Sequence, residues 1–266
     1  MTSAAGERSP LTGTAMVTGG TSGIGLAFAR GLAGRGLDLV LVARDAARLE
    51  STAADLRHEF GVAVETLTAD LAEPDGVAVA VARLTRPETP VTVLVNNAGH
   101  GVHTPLISED PGPHLQAIDL MVSGVLVLGG AAGRAMSERG SGLIINVASV
   151  AGLIPMGSYS AIKAWVNAYS EGLGIELSGT GVRVMTLLPG WVRTEFHERA
   201  AIRTNSIPSV LWLDADRLVS DCLADVDRGR TRSVPSRRFK ALAWGARHAP
   251  RPLVNRATAL IKKGRR

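Results

Sequence analysis

Short apolar runs alternate with helical periodicity along most of this chain, and that alternation constrains its fold more than any other feature. Six runs are mostly apolar without strict polar alternation, which is typical of strands buried on both faces of a sheet. They are Thr14–Thr18, Asp38–Ala43, Val62–Thr68, Val91–Asn96, Leu143–Ala148 and Val182–Leu188. Helical patterns lie between them, at Ile24–Leu32, Asp45–Phe60, Glu73–Leu84, most of Asp110–Met136, and Ser158–Ser178. Strands that alternate with helices predict an α/β fold with a mostly parallel sheet and helices on both faces.

The composition supports one globular domain. With 266 residues, 45% hydrophobic and 20% charged, the chain can bury a sizeable core. Its single cysteine, Cys222, excludes an internal disulfide and argues against a metal cluster, so no metal is predicted and a reducing cytoplasm is favoured. Glu7 and Arg8 interrupt the N-terminus, which does not resemble a secretory signal. The longest uncharged run, Leu120–Gly133, is shorter than the ~18 apolar residues that cross a bilayer, so we interpret it as a buried helix.

Three glycines, Gly19, Gly23 and Gly25, follow the first predicted strand and open the first predicted helix. A phosphate-binding loop requires this context, because backbone N–H groups and the helix N-terminus then face an anion. The spacing T-G-x-x-x-G-x-G differs from the dinucleotide pattern G-x-G-x-x-G. We interpret it as a nucleotide site, and a tight turn without a nucleotide is the alternative.

The end of the second strand bears on the choice of nucleotide. An acidic residue there would accept hydrogen bonds from the adenosine ribose and select NAD. This chain has Ala43 and then Arg44, with Thr21 and Ser22 in the glycine turn. A guanidinium can bind a 2′-phosphate through two hydrogen bonds, so NADP(H) is favoured and NAD(H) is the alternative. Arg44 could instead end the strand and face water.

Tyr159 and Lys163 are four residues apart in a predicted helix, which puts both side chains on one face. A phenol with a pKa of about 10 exchanges protons poorly at neutral pH. A nearby ammonium favours the phenolate and is expected to lower the pKa of Tyr159. The pair could then exchange a proton with a carbonyl or an alcohol. A half-buried helix face without catalysis is the alternative.

Five motifs occur in an order that resembles the short-chain dehydrogenase/reductase family. They are TGGTSGIG (Thr18–Gly25), NNAG (Asn96–Gly99), Ser149, Tyr159-x-x-x-Lys163 and PGWVRT (Pro189–Thr194). The resemblance extends to about residue 235. It implies a Rossmann-type, doubly wound, mostly parallel seven-stranded sheet whose last strand lies in Thr231–Pro235. It also implies a nicotinamide cofactor across the carboxyl ends of the strands.

The resemblance assigns catalytic roles to three residues. Tyr159 is the general acid/base, Lys163 lowers its pKa and bonds the nicotinamide ribose, and Ser149 orients the substrate carbonyl. The residues expected at the cofactor, with Thr21 and Arg44 added from the reasoning on the ribose, are Gly19, Thr21, Ser22, Gly23, Ile24, Gly25, Arg44, Asp70, Leu71, Asn97, Ala98, Gly99, Tyr159, Lys163, Pro189, Gly190, Val192 and Thr194.

Two departures from the family pattern affect the site. Met121 stands where the family usually has an asparagine that helps to hold a water in the proton relay, and methionine bonds water poorly. Either Ser123 or Asp119 rebuilds the relay, or proton supply is slower. Ser149 precedes Tyr159 by only ten residues, and this shorter loop is expected to move or open the substrate pocket.

Several other features are expected near the site or at a subunit interface. His100 and His103 are interpreted as exposed loop histidines rather than substrate contacts. Residues Glu195–Leu213 correspond to a substrate lid, whose apolar members favour a fatty acyl, steroid-like or terpenoid carbonyl. These members are Ile202, Ile207, Val210, Leu211, Trp212 and Leu213. Trp165, Tyr169 and Leu173 are interpreted as core or subunit packing, and the family resemblance implies a homodimer or homotetramer.

The C-terminal segment is strongly basic. From Arg228 to Arg266 all charged side chains are basic, 13 of the 29 Lys and Arg, so the other 16 and the 24 Asp and Glu leave residues 1–227 with a net charge of −8. We predict a flexible N-terminus (1–12), one dinucleotide-binding and catalytic domain (13–239) and a basic extension (240–266). The extension could contact the inner face of an anionic membrane, lie in solvent, or pack on a neighbouring subunit. A nucleic-acid partner is not predicted.

Together these features predict an NADP(H)-dependent oxidoreductase that interconverts a ketone or aldehyde with an alcohol on a lipophilic small-molecule substrate. The alternatives are a dinucleotide-binding sensor or scaffold with little turnover, and a membrane-associated interaction protein that acts through its basic tail.

Overall fold

The computed structural model describes residues 11–193 and 212–263. The strands are β1 (Thr14–Thr18), β2 (Asp38–Ala43), β3 (Val64–Thr68), β4 (Val91–Asn96), β5 (Gly142–Val147), β6 (Val182–Leu187), β7 (Trp191–Val192), β8 (Trp212–Leu213) and β9 (Arg232–Ser233). The α-helices are α1 (Gly23–Ala33), α2 (Ala46–Phe60), α3 (Pro74–Leu84), α4 (Gly112–Ile118), α5 (Gly124–Glu138), α6 (Ser158–Glu176), α7 (Ala215–Asp227), α8 (Arg237–His248) and α9 (Arg251–Lys263). A 3₁₀ turn covers Val150–Leu153.

Seven strands form one parallel sheet in the order β3-β2-β1-β4-β5-β6-β9, which confirms the Rossmann-type prediction. The chain order reverses between β1 and β4, because β1 pairs with β2 on one side and with β4 on the other. Ligands of such sheets bind beyond the carboxyl ends of the strands at this reversal. The fold therefore places the residues after Thr18 and after Asn96 at one crevice.

Helices cover both faces of the sheet, as predicted. On one face α1, α2 and α7 bury Phe28, Leu49 and Leu223 against the sheet. On the other face α3, α5 and α6 pack a second core that includes Leu128 and Leu173. Strand side chains alternate between the two cores, so both faces of the sheet are dry. This explains why the strands are mostly apolar in sequence.

The predicted long helix is broken. It consists of α4, a π-helical segment at Asp119–Ser123, and α5. The segment Gly112–Glu138 is long and apolar enough to cross a membrane by length and composition alone. Here Leu128, Ala132 and Met136 of α5 are buried in the core beside the sheet. This packing supports the sequence interpretation of a buried helix.

Two helices form the basic C-terminal segment, which we call the arm (237–263). Pro250 precedes α9, and Ala249 between the helices is extended, as expected for a residue before proline. The first helix docks through Phe239, which is buried against Gly190. A Cβ at position 190 would overlap the Phe239 ring, so this close approach requires glycine. The start of the arm is therefore packed beside the Pro189–Gly190 turn.

Candidate functional site

The glycine turn after β1 has a shape that only glycine permits. Gly19 has a φ of 66° and Gly23 a φ of 53°, in the left-handed region that side chains disfavour. A Cβ on Gly25 would overlap the carbonyl oxygen of Gly19. The backbone of the turn thus approaches the start of α1 closely, as a phosphate cradle requires.

Asn97 and Thr18 hold this turn in place. The Asn97 Nδ2 donates to the Thr18 carbonyl at 2.9 Å and to the Gly19 carbonyl at 3.3 Å. In return, Thr18 Oγ1 accepts from the backbone N–H groups of Asn97 at 2.9 Å and Ala98 at 3.0 Å. The side chains therefore tie the end of β1 to the end of β4.

The N-terminus of α1 is available to an anion. The Ser22 side chain makes no capping hydrogen bond, and the first turn carries no acidic residue. The partial positive charge of the helix end and its first N–H groups can therefore stabilise a phosphate. The turn and the helix together fit the pyrophosphate of a dinucleotide.

Two arginines follow β2, where the sequence predicts the adenosine ribose. Arg44 is 68% exposed at its side chain, and its Nη1 lies 3.5 Å from Asp70 Oδ2. The sequence analysis did not predict Arg48 at this site, although its position in the first turn of α2, just after β2, is a signal for it. Its Nε donates to the carbonyl of Thr21 at 3.2 Å. Arg48 therefore contacts the glycine turn, whereas Asp70 partly offsets the charge of Arg44. Leu71 is buried.

A chain of buried side chains links the central strands to α6. Asn96 Nδ2 donates to Asn146 Oδ1 at 2.9 Å, and Asn146 Nδ2 donates to Ser170 Oγ at 3.0 Å. Ser170 Oγ then donates to the Val166 carbonyl at 2.6 Å. This chain fixes the rotation of α6 about its axis, because Ser170 must face the sheet.

The structure brings Ser149, Tyr159 and Lys163 together. Ser149 follows β5, and its side chain is hydrogen-bonded to the Tyr159 side chain at the start of α6. Ser149 Oγ also accepts from the Ala151 N–H at 3.1 Å. Lys163 Nζ donates to the Val147 carbonyl at 2.8 Å and lies 5.8 Å from the Tyr159 ring centroid. The predicted trio therefore lies at the carboxyl edge of the sheet, beside the crevice.

The predicted direction of the Tyr159 pKa is wrong for this structure. Desolvation raises the pKa of Tyr159 to about 12, and the Ser149 hydrogen bond, which lowers it, does not compensate. Burial also lowers the pKa of Lys163 to about 8. The sequence argument counted the attraction of the ammonium but not the cost of withdrawing both groups from water.

Met121 fills the space where a relay asparagine was expected. It lies in the π-helical segment and is fully buried, packed with Ala117, Ile162 and the Tyr159 ring. Its Sδ also lies against Gly99, where a Cβ would come within 2.7 Å. Ser123 and Asp119 are both exposed, so neither faces this cluster as the rebuilt relay would require.

Asn167 is a polar residue that the sequence reasoning missed. It lies one turn after Lys163 on α6 and is buried. Neither its Oδ1 nor its Nδ2 has a hydrogen-bond partner in the described part of the chain. Buried waters commonly satisfy such groups, so this amide is suited to hold one near the lysine.

The short loop before Tyr159 is held by a side-chain contact at its end. After the 3₁₀ turn, Gly157 has a φ of 109° and Ser158 begins α6. Ser158 Oγ lies 2.7 Å from His114 Nδ1, and His114 Nε2 lies 3.1 Å from the Pro105 carbonyl. His114 thus connects the β4–α4 loop to α6, a role that its sequence position did not reveal. His103 is exposed, whereas His100 is half-buried.

The remaining predicted residues border the far end of the crevice. Pro189 and Val192 are buried, and the Pro189 carbonyl lies 3.4 Å from Ser149 Oγ. Thr194 and residues 195–211 of the predicted lid lie outside the described residues. Trp212 is described, and its ring packs edge-on against Trp191, with centroids 6.3 Å apart.

The sequence and the fold of this chain are similar to those of known proteins. The model of the short chain dehydrogenase family matches residues 13–204. Galactitol 2-dehydrogenase (L-tagatose-forming) from Cereibacter sphaeroides is 35% identical over 206 residues, which cover 75% of this chain and 78% of that protein.

Two solved structures are also similar. A short-chain dehydrogenase from Sphingobium yanoikuyae, in complex with NADPH, has a TM-score of 0.81 and 38% identity, covering 88% of this chain and 93% of that one. The bulky-bulky ketone specific alcohol dehydrogenase from Comamonas testosteroni has a TM-score of 0.76 and 32% identity, covering 89% of this chain and 92% of that one.

The buried amine of Lys163 predicts a pH-dependent stability. Its pKa falls from 10.5 to about 8 on folding, so the unfolded chain binds more protons between these values and stability should rise with pH there. Below about pH 8 the folded state is destabilised by the full cost of burying the Lys163 ammonium, and this cost disappears as the pH rises toward 10.5. Compared with Lys163→Met, the parent protein should gain about 2 kcal/mol of unfolding free energy between about pH 7.5 and 9.5. Urea denaturation measures this, and identical pH dependence in both proteins would contradict it.

Proposed function

This chain belongs to the short-chain dehydrogenase family, an oxidoreductase family acting on alcohols and carbonyls, and we propose that it uses NADP(H) to interconvert a bulky, lipophilic ketone or aldehyde with its alcohol. The single observation that carries the proposal is the contact between the side chains of Ser149 and Tyr159, with Lys163 one turn along α6. This trio lies beside a crevice whose glycine turn fits a pyrophosphate.

Each of the three residues has a distinct task. A nicotinamide dinucleotide supplies the hydride chemistry when it is bound. The Tyr159 hydroxyl, with a pKa of about 12, is protonated at neutral pH and can give its proton to the oxygen of a carbonyl. Ser149 can donate a hydrogen bond to the same oxygen, where negative charge develops. Lys163 keeps a positive charge near the phenol and would favour the phenolate once the proton has left.

The crevice residues would hold the dinucleotide along the carboxyl edge of the sheet. The glycine turn and the start of α1 would bind the pyrophosphate, with Asn97, Ala98 and Gly99 beside it. Asp70 and Leu71 would border the adenine. Pro189, Gly190 and Val192 would lie at the carboxamide, together with Thr194 from outside the described residues.

The preference for NADP(H) is supported by Arg44 and Arg48. Two guanidinium groups border the ribose end of the crevice, and the residue at the end of β2 is the neutral Ala43. The similar dehydrogenase from Sphingobium yanoikuyae binds NADPH. A 2′-phosphate would find two cations there, whereas a 2′-hydroxyl carries no charge for them to attract.

The preference for a bulky substrate is supported by the end of the predicted lid and by one similar structure. Trp212 and Leu213 are the described end of the predicted lid, and both are half-buried apolar side chains. One similar structure is specific for bulky ketones. A relative named for galactitol shows that polar substrates occur in the family as well.

The first prediction concerns the proton donor. Tyr159→Phe should lower kcat for carbonyl reduction by about 10²-fold or more, because the oxygen loses its proton source. NADPH binding should change by less than about twofold. Absorbance of NADPH with a panel of bulky ketones, aldehydes and sugars gives the turnover and the substrate class.

Tyr169→Phe is the matched control, since Tyr169 lies on the same helix and donates its hydroxyl to the Leu126 carbonyl at 3.3 Å. It should keep parent turnover. Normal activity in Tyr159→Phe would exclude the assigned role.

The second prediction concerns cofactor choice. Arg44→Gln should raise KM for NADPH about tenfold and leave KM for NADH nearly unchanged, since it removes one cation from the phosphate. Arg86→Gln makes the same charge change at an exposed site after α3, and it should alter neither constant. An equal effect of Arg44→Gln on both cofactors would argue against a phosphate contact.

A homodimer or homotetramer is supported by apolar side chains on the outer helices. Leu126 and Val127 of α5 and Ile175 of α6 are 49%, 44% and 77% exposed. Trp165 stacks on Tyr169 between these helices, with centroids 4.8 Å apart. A second copy packed on α5 and α6 would cover this face.

Peripheral contact with the inner face of a membrane, by an otherwise cytoplasmic enzyme, is supported by the arm. Leu242, Trp244 and Leu253 are 57%, 67% and 61% exposed, and all charged residues of the arm are basic. Exposed apolar side chains among basic ones are typical of helices that lie on anionic lipid.

The arm should bind anionic vesicles. The full chain should float with phosphatidylglycerol vesicles and not with phosphatidylcholine alone. Arg251→Gln with Arg256→Gln should weaken the binding about 30-fold, because each basic residue contributes about 1 kcal/mol near such a surface. Arg86→Gln with Arg134→Gln makes the same charge change elsewhere and should have little effect. If the full chain and both variants all stay in the soluble fraction with either lipid, the arm does not contact the membrane.

A further inference from the structure

A cavity of about 200 Å³ lies between α8 and the edge of the sheet. Its floor is apolar, formed by Leu153, Leu188 and Val234. Its rim is basic, formed by Arg232, Lys240 and Arg247, with His248 beside them. Ser149, Tyr159 and Lys163 do not line it, so it is separate from the catalytic trio.

The three cations come from two elements that face each other. Arg232 belongs to β9, whereas Lys240 and Arg247 are seven residues apart on α8 and share one face of that helix. In the described chain, no acidic residue lines the cavity. Glu171 of α6 is the acid that reaches Arg232, with 3.0 Å between its Oε1 and the Arg232 Nη2. The cavity therefore carries excess positive charge.

Arg232 is only partly satisfied by its Glu171 pair. Its Nε is buried and has no hydrogen-bond partner among the described residues. Burial lowers the pKa of Arg232, Glu171 raises it, and the nearby charge of Arg247 lowers it again. A guanidinium with a buried, unpartnered N–H and a like charge opposite is costly unless an acceptor reaches it.

A bound oxyanion would accept a hydrogen bond from the Arg232 Nε and would offset the repulsion between Arg232 and Arg247. Phosphate carries about −1.5 to −2 charges at neutral pH and offers several strong acceptor oxygens. Guanidinium groups bind such oxygens in pairs, and an ammonium adds a point charge. Because one water takes about 30 Å³, the cavity has room for a phosphate and a short carbon stem, but not for a whole drug-sized ligand.

We propose that the cavity between α8 and the sheet edge binds a phosphate group, free or as the head of a phosphate monoester. Arg232 would contact it from β9, and Lys240 and Arg247 from α8. The apolar floor would receive the first carbon atoms of an ester. The bound phosphate would bridge the arm to the body of the protein.

This bridge would have a consequence for the wall of the catalytic crevice. Phe239, one residue before Lys240, is buried against Gly190, and Leu188 directly precedes Pro189. A phosphate that links α8 to β9 would therefore also hold Phe239 on the Pro189–Gly190 turn. The proposal does not depend on the substrate or the cofactor of the enzyme.

Thermal unfolding of the full chain tests the site. Millimolar inorganic phosphate should raise Tm by about 2–4 °C relative to chloride at equal ionic strength. Phosphate bound at the glycine turn, or general salt effects, would add a shift common to all variants. The decisive quantity is therefore the difference between variants.

Lys240→Gln and Arg247→Gln change exposed residues, so both variants should fold. Each should lose most of the phosphate-specific shift. Arg256→Gln removes an exposed charge from α9, away from the cavity, and should keep the shift. Arg232→Gln should lose it too, although loss of its Glu171 pair makes this variant less decisive.

A second probe distinguishes the source of the phosphate. Dihexanoyl phosphatidic acid, used below its micelle concentration, should give a larger Tm shift than phosphate if the natural ligand is a lipid headgroup. Equal shifts would assign the site to a soluble phosphate. If neither probe shifts the parent protein more than Arg247→Gln, the cavity binds no phosphate and the proposal is wrong.

Discussion

The hydrogen bonds between Thr18 and Asn97 hold the point on which the rest of the structure depends. They join the ends of β1 and β4, where the strand order reverses and a crevice opens beyond the sheet. The same Asn97 amide reaches Gly19, so the glycine turn is positioned by the neighbouring strand. A turn of identical sequence at another strand would have the helix end, but no crevice beside it.

The helix that carries Tyr159 and Lys163 is oriented by similar hydrogen bonds. Ser170, bonded to Asn146, and Lys163, bonded to the Val147 carbonyl, are seven residues apart and hold one face of α6 against β5. With its rotation fixed at two points, α6 presents Tyr159 to Ser149. The same burial has an electrostatic cost, because it raises the pKa of Tyr159 and lowers that of Lys163, which destabilises the charged form of each group. With a pKa of about 8, Lys163 still carries its positive charge at neutral pH.

Charge is separated along the chain, and the fold brings the two parts together. The net charge of −8 on residues 1–227 contrasts with the arm, in which every charged residue is basic. Docking of α8 nevertheless places Lys240 and Arg247 opposite another cation, Arg232. Phe239 supplies the apolar contact that holds this arrangement. At this cavity charge attraction therefore does not favour the docking of α8, whereas the apolar contact of Phe239 does.

The sequence by itself determined the α/β class, the glycine turn and the Ser149, Tyr159 and Lys163 trio, because strand patterns, glycine requirements and helical spacing are local properties. Only the tertiary structure decided the π-helical break at Met121, the roles of Arg48, His114 and Asn167, and the direction of the Tyr159 pKa. Several of these depend on groups distant in sequence: Thr21 meets Arg48, Ser158 meets His114, and the packed interior withdraws Tyr159 from water. Local pattern carries no information on such contacts or on desolvation, which arise when separate elements pack together.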